Sequence, residues 1–367
     1  MKTNSYVPVF FFCLLLHIFP TAKSQKPLAP ALYAFGDSLL DAGNNNYLPT
    51  SAKANFLPYG INFPNGPTGR FTNGKTSADI LAEYLGLPFP PAYLSLSEDQ
   101  KMATKTGMNY ASGSSGILAG TGKIMGDNLE LDKQMELFQD TVKNYLPKQF
   151  SNVQQLSQYL SKSIFMISAG SNDFILNFSS QYTRNGISVP KVTPEAFSEK
   201  LKVTLSEHLQ RLYELGARKF IISEVGPLGC IPAVIKTVKP IGSSGSCTED
   251  INEWANIFNQ KVGALVKELS ANLPGSMFVN MRVNSLALNI HDKPAVYGIR
   301  EVSEPCCAGA LNGILLCPPL SPACLLPQTH YFFDPVHPSQ TVNTVIIRQC
   351  FNGSTICLPN VQQLLQA

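Results

Sequence analysis

Charged residues are scarce in this chain. Asp, Glu, Lys and Arg make up 14% of its 367 residues, against about 25% in a typical soluble domain. The formal net charge is +3, and the sequence contains no dense cluster of Lys and Arg. This scarcity argues against a nucleic-acid-binding protein, which usually carries a basic stripe. Hydrophobic residues reach 44%, so the chain also lacks the low hydrophobicity and high net charge of a disordered protein.

Long apolar runs are also rare, and the one at residues 7–18 is too short to span a bilayer as a helix. Lys2 precedes it, and Ala22 and Ser24 place small residues at −3 and −1 of a cleavage site. This pattern favours a signal peptide at 1–24 over a membrane anchor or a buried helix. We therefore predict a secreted, extracellular protein of residues 25–367, with a net charge of about +1 and no integral membrane segment.

Cysteine usage agrees with export. Cys13 lies in the predicted signal peptide, and the other eight are Cys230, Cys247, Cys306, Cys307, Cys317, Cys324, Cys350 and Cys357. An even number in an exported chain predicts disulfides. Proximity favours Cys230–Cys247, Cys350–Cys357 and two bridges among the middle four, whose spacing lacks the C-x2-C pairs of a zinc site. The sequons at Asn177 and Asn352 predict glycans.

Short apolar runs alternate with amphipathic stretches, and no linker, internal repeat or low-complexity tract divides the chain. Strands are predicted at 31–35, 108–111, 164–168, 219–223 and 277–280. Helices are predicted at 76–85, 129–145, 194–215 and 251–273, with a last one from about Ser339. The pattern indicates one doubly wound α/β domain with a parallel sheet. Residues 283–335 are expected to form a long loop that needs disulfides to be ordered.

Residues 69–76 match the phosphate-loop pattern G-x4-G-K-[ST]. That mechanism requires a strand before the loop and a helix after it. A helix is predicted to follow, but the preceding residues 62–68 contain two prolines and no apolar run. We therefore expect a surface turn leading into a helix, and not a nucleotide site.

A candidate nucleophile follows the first predicted strand. Ser38 comes directly after Gly36 and Asp37, and ligands of doubly wound sheets bind beyond the carboxyl ends of strands. A serine nucleophile needs a base, and His337 lies three residues after Asp334. On a turn, that spacing lets the carboxylate bind one imidazole nitrogen and leaves the other for a serine. Taken singly, Ser38 could equally be a helix N-cap and His337 part of a capped turn.

Two further polar loops follow predicted strands and could stabilise an oxyanion. Asn172 ends the third strand with a side-chain amide donor, and the glycine-rich loop 112–116 ends the second. Glycines let backbone N–H groups approach a ligand closely. Four such polar clusters, three at strand ends and one at the C-terminal turn, together indicate a serine hydrolase.

These motifs resemble the GDSL esterase/lipase family of the SGNH hydrolases, specifically its secreted plant branch. The resemblance rests on residues 35–46, 69–74, 107–117, 170–173, 226–230 and 334–338, in that order. It also accounts for the phosphate-loop match, because a Gly-Arg-Phe-x-Asn-Gly stretch is similar to a recurring family segment. Phe333 stands where many members have Trp, and no G-x-S-x-G elbow is present.

The resemblance implies a single three-layer α/β/α domain with a flavodoxin-like parallel sheet of about five strands. It implies Ser38 as nucleophile, His337 as general base and Asp334 as the residue that orients it. The oxyanion donors would be the Ser38 N–H, the Asn172 side chain and the Gly116 N–H, with Gly113 as the alternative in the same loop. No metal or cofactor is implied. The implied substrate is a small-molecule or lipid ester, and an acyltransferase or a non-catalytic extracellular binding protein are the alternatives.

Overall fold

A computed structural model describes residues 26–64, 66–178, 192–238, 247–313 and 315–366. Its sheet contains four parallel strands in the order β1 (Leu32–Gly36), β2 (Ile164–Ser168), β3 (Lys219–Ser223) and β4 (Met277–Met281). All strand pairs are in parallel register, with Leu32 opposite Ile164 and Lys219 opposite Met277. The predicted signal peptide at 1–24 lies outside the described residues.

The strand predicted at 108–111 is not a regular strand. Residues 106–112 nevertheless run beside β1, with Leu32 N–H donating to the Thr106 carbonyl at 3.1 Å and Tyr110 N–H to the Ala34 carbonyl at 2.8 Å. Asn109 is also bonded to residues 91 and 93, so the segment bridges two neighbours instead of forming one continuous ladder. If residues 106–112 are counted as a strand, they are the second of five along the chain and lie beside β1. The spatial order of the five is then 2-1-3-4-5 in chain numbering, as in flavodoxin-like sheets. The switch point of this order lies between β1 and β2.

Alternation of side chains along the strands divides the core into two layers. Tyr33 and Phe35 face one cluster, whereas Leu32 and Ala34 face the other. Helices within residues 131–162, 194–214 and 249–272 cover the first face, and helices within residues 77–85, 283–292 and 340–366 cover the second. The arrangement is a three-layer α/β/α fold.

The helices within the described ranges are α1 (Ser77–Leu85), α2 (Glu98–Ala103), α3 (Leu131–Asp140), α4 (Val153–Lys162), α5 (Pro194–Glu214), α6 (Pro232–Val238), α7 (Glu249–Asn272), α8 (Val283–Asp292), α9 (Gln340–Asn352) and α10 (Val361–Gln366). The helix predicted at 129–145 is interrupted, because α3 ends at Asp140 and a π-helical turn follows over Thr141–Tyr145. Among the helices of the described ranges, none has the length and apolarity needed to cross a membrane.

The segment predicted as a loop at 283–335 is only partly a loop, because its first ten residues form α8. Val283, Leu286, Ala287 and Ile290 recur at helical spacing and are buried against the sheet. The remainder is held by Cys306–Cys324 and Cys307–Cys317, while Cys230–Cys247 and Cys350–Cys357 form the other two bridges. The eight cysteines thus pair as proximity favoured, and the structure decides the pairing of the middle four.

The two sequons differ in environment. Asn352 is exposed at the last residue of α9. Asn177 is half-buried and its amide donates to Thr121 Oγ1 at 2.7 Å, while Ser179 of the same sequon lies outside the described residues. Glycosylation at both positions stays a prediction, and the exposed Asn352 is the easier site to modify.

Candidate active site

The chain turns sharply at the end of β1 and presents Ser38 at the switch point. Gly36 has φ +134°, and a Cβ there would overlap the carbonyl oxygen of Ser168 on β2, so only glycine fits this close approach. After the turn, Asp37 Oδ1 accepts the Leu39 N–H at 3.0 Å. The backbone carbonyl of Asp37 accepts from Leu40 and Asp41, both at 3.1 Å. Ser38 therefore stands on a rigid turn, with its side chain next to a cavity.

Asp334 and His337 form one compact turn just before α9. Asp334 Oδ1 accepts the backbone N–H groups of Val336 and His337 at 2.8 and 2.6 Å. Its Oδ2 lies 2.7 Å from His337 Nδ1, and His337 Nε2 lies 2.7 Å from Ser38 Oγ. In the tautomer with a proton on Nδ1, the imidazole donates to Asp334 and accepts from the serine. The structure thus brings the three sequence-predicted residues together.

Tyr59 is a member of this cluster that the sequence analysis missed. Its Oη donates to Asp334 Oδ2 at 2.6 Å and accepts the Cys317 N–H at 3.3 Å. Cys317 is disulfide-bonded to Cys307, whose N–H donates to the Phe333 carbonyl at 2.8 Å. The disulfide-bonded segment therefore packs behind the turn that carries Asp334 and His337. No local pattern around Tyr59 indicates this contact, because its partners lie more than 250 residues away.

Residues 69–76 lead into α1 as expected, but the turn is buried and not on the surface. Arg70 forms a bidentate ion pair with Asp79, with both contacts at 2.7 Å. Phe71 packs against the His337 ring at a centroid distance of 5.0 Å, and Asn73 Oδ1 accepts the Gln340 N–H at the start of α9. The segment that resembles a phosphate loop therefore packs against His337, and no strand directly precedes it in the described residues 62–64 and 66–68.

The predicted oxyanion donors lie on adjoining loops. Asn172 Nδ2 donates to the Ser115 carbonyl at 2.9 Å, which places the amide beside the Ser115–Gly116 peptide. A side-chain amide has two hydrogens, so one remains for a ligand. The Gly113 N–H donates to Asp41 Oδ2 at 3.0 Å and is therefore engaged already. Within the described residues the Gly116 N–H has no such partner, which favours Gly116 over Gly113 as the donor.

Asp173 holds these two loops together. Its carboxylate accepts the N–H groups of Ile117 and Leu118 at 2.7 and 3.0 Å and the Thr121 hydroxyl at 2.8 Å. A Cβ on Gly116 would overlap this carboxylate, so glycine is required at this position. In the sequence Asp173 is only the last residue of a strand-end motif, whereas in the structure its carboxylate shapes the loop.

Burial acts to raise the pKa of both Asp334 and Asp37, but the net shifts have opposite signs. Burial alone would raise the pKa of Asp334, but His337 and the hydrogen bonds from His337 and Tyr59 outweigh it and lower the pKa overall. Burial raises the pKa of Asp37 to about 7, since its Oδ2 has no partner among the described residues. Asp334 is therefore the carboxylate that stays ionised to orient the histidine.

One cluster has a composition that could suggest a metal site. Cys306, Cys324 and His330 place ligand atoms within 4.8 Å of one another. The two sulfur atoms are bonded to each other, however, so neither is a thiolate. The cluster is accounted for by the disulfide.

Comparison with known proteins identifies the family. The model of the GDSL-like lipase/acylhydrolase family matches residues 32–349. GDSL esterase/lipase 7 of Arabidopsis thaliana is 41% identical over 340 residues, covering 91% of this chain and 90% of the relative. A second Arabidopsis GDSL esterase/lipase is 36% identical over 371 residues and covers 99% of this chain and 94% of the relative. The chain therefore belongs to the GDSL-like lipase/acylhydrolase family, a family of carboxylic-ester hydrolases.

Proposed function

We propose that this protein is a secreted esterase that cleaves carboxylic esters through an acyl-enzyme on Ser38. The observation that carries the proposal is the continuous chain of hydrogen bonds Asp334–His337–Ser38, in which both imidazole contacts are 2.7 Å long. A serine hydroxyl is a weak nucleophile until a positioned base accepts its proton, and this geometry supplies that base.

The reaction proceeds in two halves. Ser38 Oγ attacks the ester carbonyl carbon while His337 Nε2 accepts the hydroxyl proton, and a tetrahedral oxyanion forms. His337 returns the proton to the alcohol oxygen as the carbon–oxygen bond breaks. Water then adds to the acyl carbon and gives a proton to His337. His337 returns this proton to Ser38 Oγ as the bond between the acyl carbon and Oγ breaks, which releases the carboxylic acid and regenerates Ser38. The Asn172 amide and the Gly116 and Ser38 N–H groups are the proposed oxyanion donors.

Export is supported by two independent features. The N-terminal pattern is that of a signal peptide, and four disulfides within the described residues fit an oxidising compartment. The domain assignment, with the signal peptide at 1–24 and one hydrolase domain at 25–367, is part of the same proposal. Mass spectrometry of the secreted N-terminus tests it, and a mature chain that begins at Met1 contradicts it.

The decisive experiment combines covalent labelling with turnover. A fluorophosphonate probe should label the purified protein at Ser38, and Ser38→Ala should abolish both labelling and hydrolysis of a 4-nitrophenyl ester. Ser171→Ala is the matched control, since Ser171 lines the same cavity but makes no hydrogen bond to His337 in the described structure. Full activity of Ser38→Ala would overturn the proposal. Adding an acceptor alcohol and measuring ester transfer against hydrolysis distinguishes an acyltransferase.

A further inference from the structure

The loop that carries Gly116 is held in place by a short segment that begins directly after Asn172. This segment, Asp173–Phe178, is a π-helical turn. On one side of it, Asn172 Nδ2 donates to the Ser115 carbonyl at 2.9 Å. The positions of both proposed oxyanion donors outside the Ser38 turn, the Asn172 amide and the Gly116 N–H, therefore depend on how this turn packs against the loop.

Thr121 contacts both the Gly116 backbone and the residue that anchors the loop. Its side chain is completely buried, and its hydroxyl donates to Asp173 Oδ1 at 2.8 Å. Its methyl group lies against Gly116, because a Cβ built on Gly116 would overlap Thr121 Cγ2 as well as the Asp173 carboxylate. A change in the position of the Thr121 side chain is therefore transmitted directly to the peptide that carries a proposed oxyanion donor.

Asn177, near the end of the π-helical turn, fixes the direction in which the Thr121 hydroxyl points. Asn177 Nδ2 donates to Thr121 Oγ1 at 2.7 Å. A hydroxyl has a single hydrogen, so Thr121 accepts from the amide and keeps its hydrogen for Asp173. The result is a directed chain of hydrogen bonds from Asn177 through Thr121 to Asp173, whose carboxylate also accepts the N–H groups of Ile117 and Leu118. Hydrogen bonds in such chains polarise and strengthen one another.

Asn177 is also the first residue of a sequon, and the side-chain nitrogen to which a glycan would attach is the one that donates to Thr121. We propose that Asn177 is a positioning residue for the Gly116 loop, acting through Thr121 and Asp173, and that its amide, not a glycan, is what this position contributes to catalysis; this rests on the proposed function. Ser38 lies on a different turn, so loss of the amide should displace the oxyanion donors and leave the nucleophile in place.

Asn177→Ala should lower kcat by about tenfold and leave KM nearly unchanged, since misplacing a group that acts in the transition state slows the reaction without removing substrate binding. Asp173 still holds the loop, so the loss should stay below the roughly 10²–10³-fold cost of deleting an oxyanion donor. The rate is measured with the intact secreted enzyme on 4-nitrophenyl butyrate and divided by the number of sites that a fluorophosphonate labels. A variant that is merely less well folded has fewer labelled sites but the same rate per site.

Two control variants separate the amide from a glycan. Ser179→Ala destroys the same sequon and leaves Asn177 in place, and Asn352→Ala removes the other sequon, whose Asn352 is exposed at the last residue of α9. Both controls should keep the wild-type kcat. An equal fall in Asn177→Ala and Ser179→Ala would assign the effect to a glycan, and a wild-type kcat in Asn177→Ala would show that the amide is not needed. Either result overturns the proposal.

Variants of Thr121 test the route. Thr121→Val keeps the methyl group beside Gly116 and removes the hydroxyl, whereas Thr121→Ser keeps the hydroxyl. Thr121→Val should lose at least as much kcat as Asn177→Ala, and Thr121→Ser should retain more. Adding Asn177→Ala to Thr121→Val should cause no further fall, because the amide acts through the hydroxyl. Losses that multiply would overturn the route. If Asn177→Ala does not fold, equal kcat values for Thr121→Val and Thr121→Ser overturn it instead.

A trifluoromethyl ketone reports on the oxyanion donors directly. Ser38 Oγ adds to its carbonyl carbon, the hydroxyl proton passes to His337, and the carbonyl oxygen becomes an oxyanion like that of the transition state. The inhibition constant should rise in Asn177→Ala by the same factor as kcat/KM falls, and an unchanged constant would overturn the proposal. A wild-type protein that neither hydrolyses the ester nor reacts with the fluorophosphonate would overturn the esterase proposal itself, so the two failures are distinguishable.

Discussion

Tyr59 and Asp334 are separated by 275 residues and are joined by a buried hydrogen bond of 2.6 Å. The bond ends on Asp334 Oδ2, the oxygen that also accepts from His337 Nδ1. Burial raises the pKa of the Tyr59 phenol well above its usual range, so the hydroxyl remains a donor. Tyr59 is therefore a positioning residue that acts on the histidine through Asp334.

Tyr59→Phe should lower kcat by about tenfold and leave KM nearly unchanged. The variant removes one hydrogen bond to a charged acceptor, which is typically worth about 1.5–3 kcal/mol, while Asp334 keeps its bonds to Val336 and His337. Steady-state kinetics on a chromogenic ester measure the effect. Tyr47→Phe is the control because Tyr47 is 58% exposed. Equal kcat values for the two variants would contradict the positioning role.

Asn172→Ala should reduce kcat by about 10²–10³-fold, the usual cost of removing one oxyanion donor. The protein should remain folded, since the lost contact is a single bond to the Ser115 carbonyl. Asn256→Ala, at an exposed position of α7, is the control. Kinetics and a thermal melt of both variants test the prediction, and a loss below about threefold for Asn172→Ala would remove this residue from the oxyanion hole.

Asp37→Asn should change how stability depends on pH. Burial raises the pKa of Asp37 to about 7 in the folded protein, against about 3.9 in an unfolded chain. The folded state therefore binds the proton more tightly, and this group makes the wild-type protein less stable as pH rises from about 4 to about 7. Asn cannot ionise and retains an acceptor for the Leu39 N–H.

The free energy of unfolding of Asp37→Asn, relative to the wild type, should thus increase over that window and level off above it. Urea unfolding at half-unit steps from pH 4.5 to pH 8 measures the difference. A difference that does not vary with pH would show that Asp37 is ionised throughout, as for a carboxylate paired with His337.

Arg70→Met should destabilise the fold far more than Lys75→Met. Arg70 and Asp79 are both buried and share two contacts of 2.7 Å, and removing one partner of a buried pair typically costs about 3–5 kcal/mol. The Lys75–Glu83 pair is partly exposed, and such pairs contribute about 0–1 kcal/mol. Urea unfolding of both variants provides the comparison.

The kcat of ester hydrolysis should also fall further in Arg70→Met than in Lys75→Met. Phe71 packs on the His337 ring and lies next to Arg70 in the chain. If residues 69–76 become mobile in Arg70→Met, His337 loses the ring contact that helps to hold its imidazole in place. An Arg70→Met protein with wild-type kcat at a temperature where it is fully folded would show that the segment supports stability alone.

Much of the fold could be predicted from local patterns. The strands at 164–168 and 219–223 and the helix that starts at Pro194 have the predicted starting points, since apolar runs and helical spacing are local properties. Two of the predicted elements differ from the structure, each for its own reason. Residues 108–111 have the composition of a strand but bond to two neighbours, and α8 lies in a region whose prolines and cysteines suggested a loop.

The sequence by itself determined the candidate residues: Ser38 after a buried strand, His337 three residues after Asp334, and Asn172 after another strand. Short spacings and strand ends are sufficient for this, because parallel strands bring their carboxyl ends to one edge. Only the tertiary structure decided which groups support that chemistry. Tyr59 on Asp334, Phe71 on His337 and the lining of the cavity beside Ser38 all depend on contacts across the whole chain. Such contacts follow from three-dimensional packing, which leaves no periodic or local signal in the sequence.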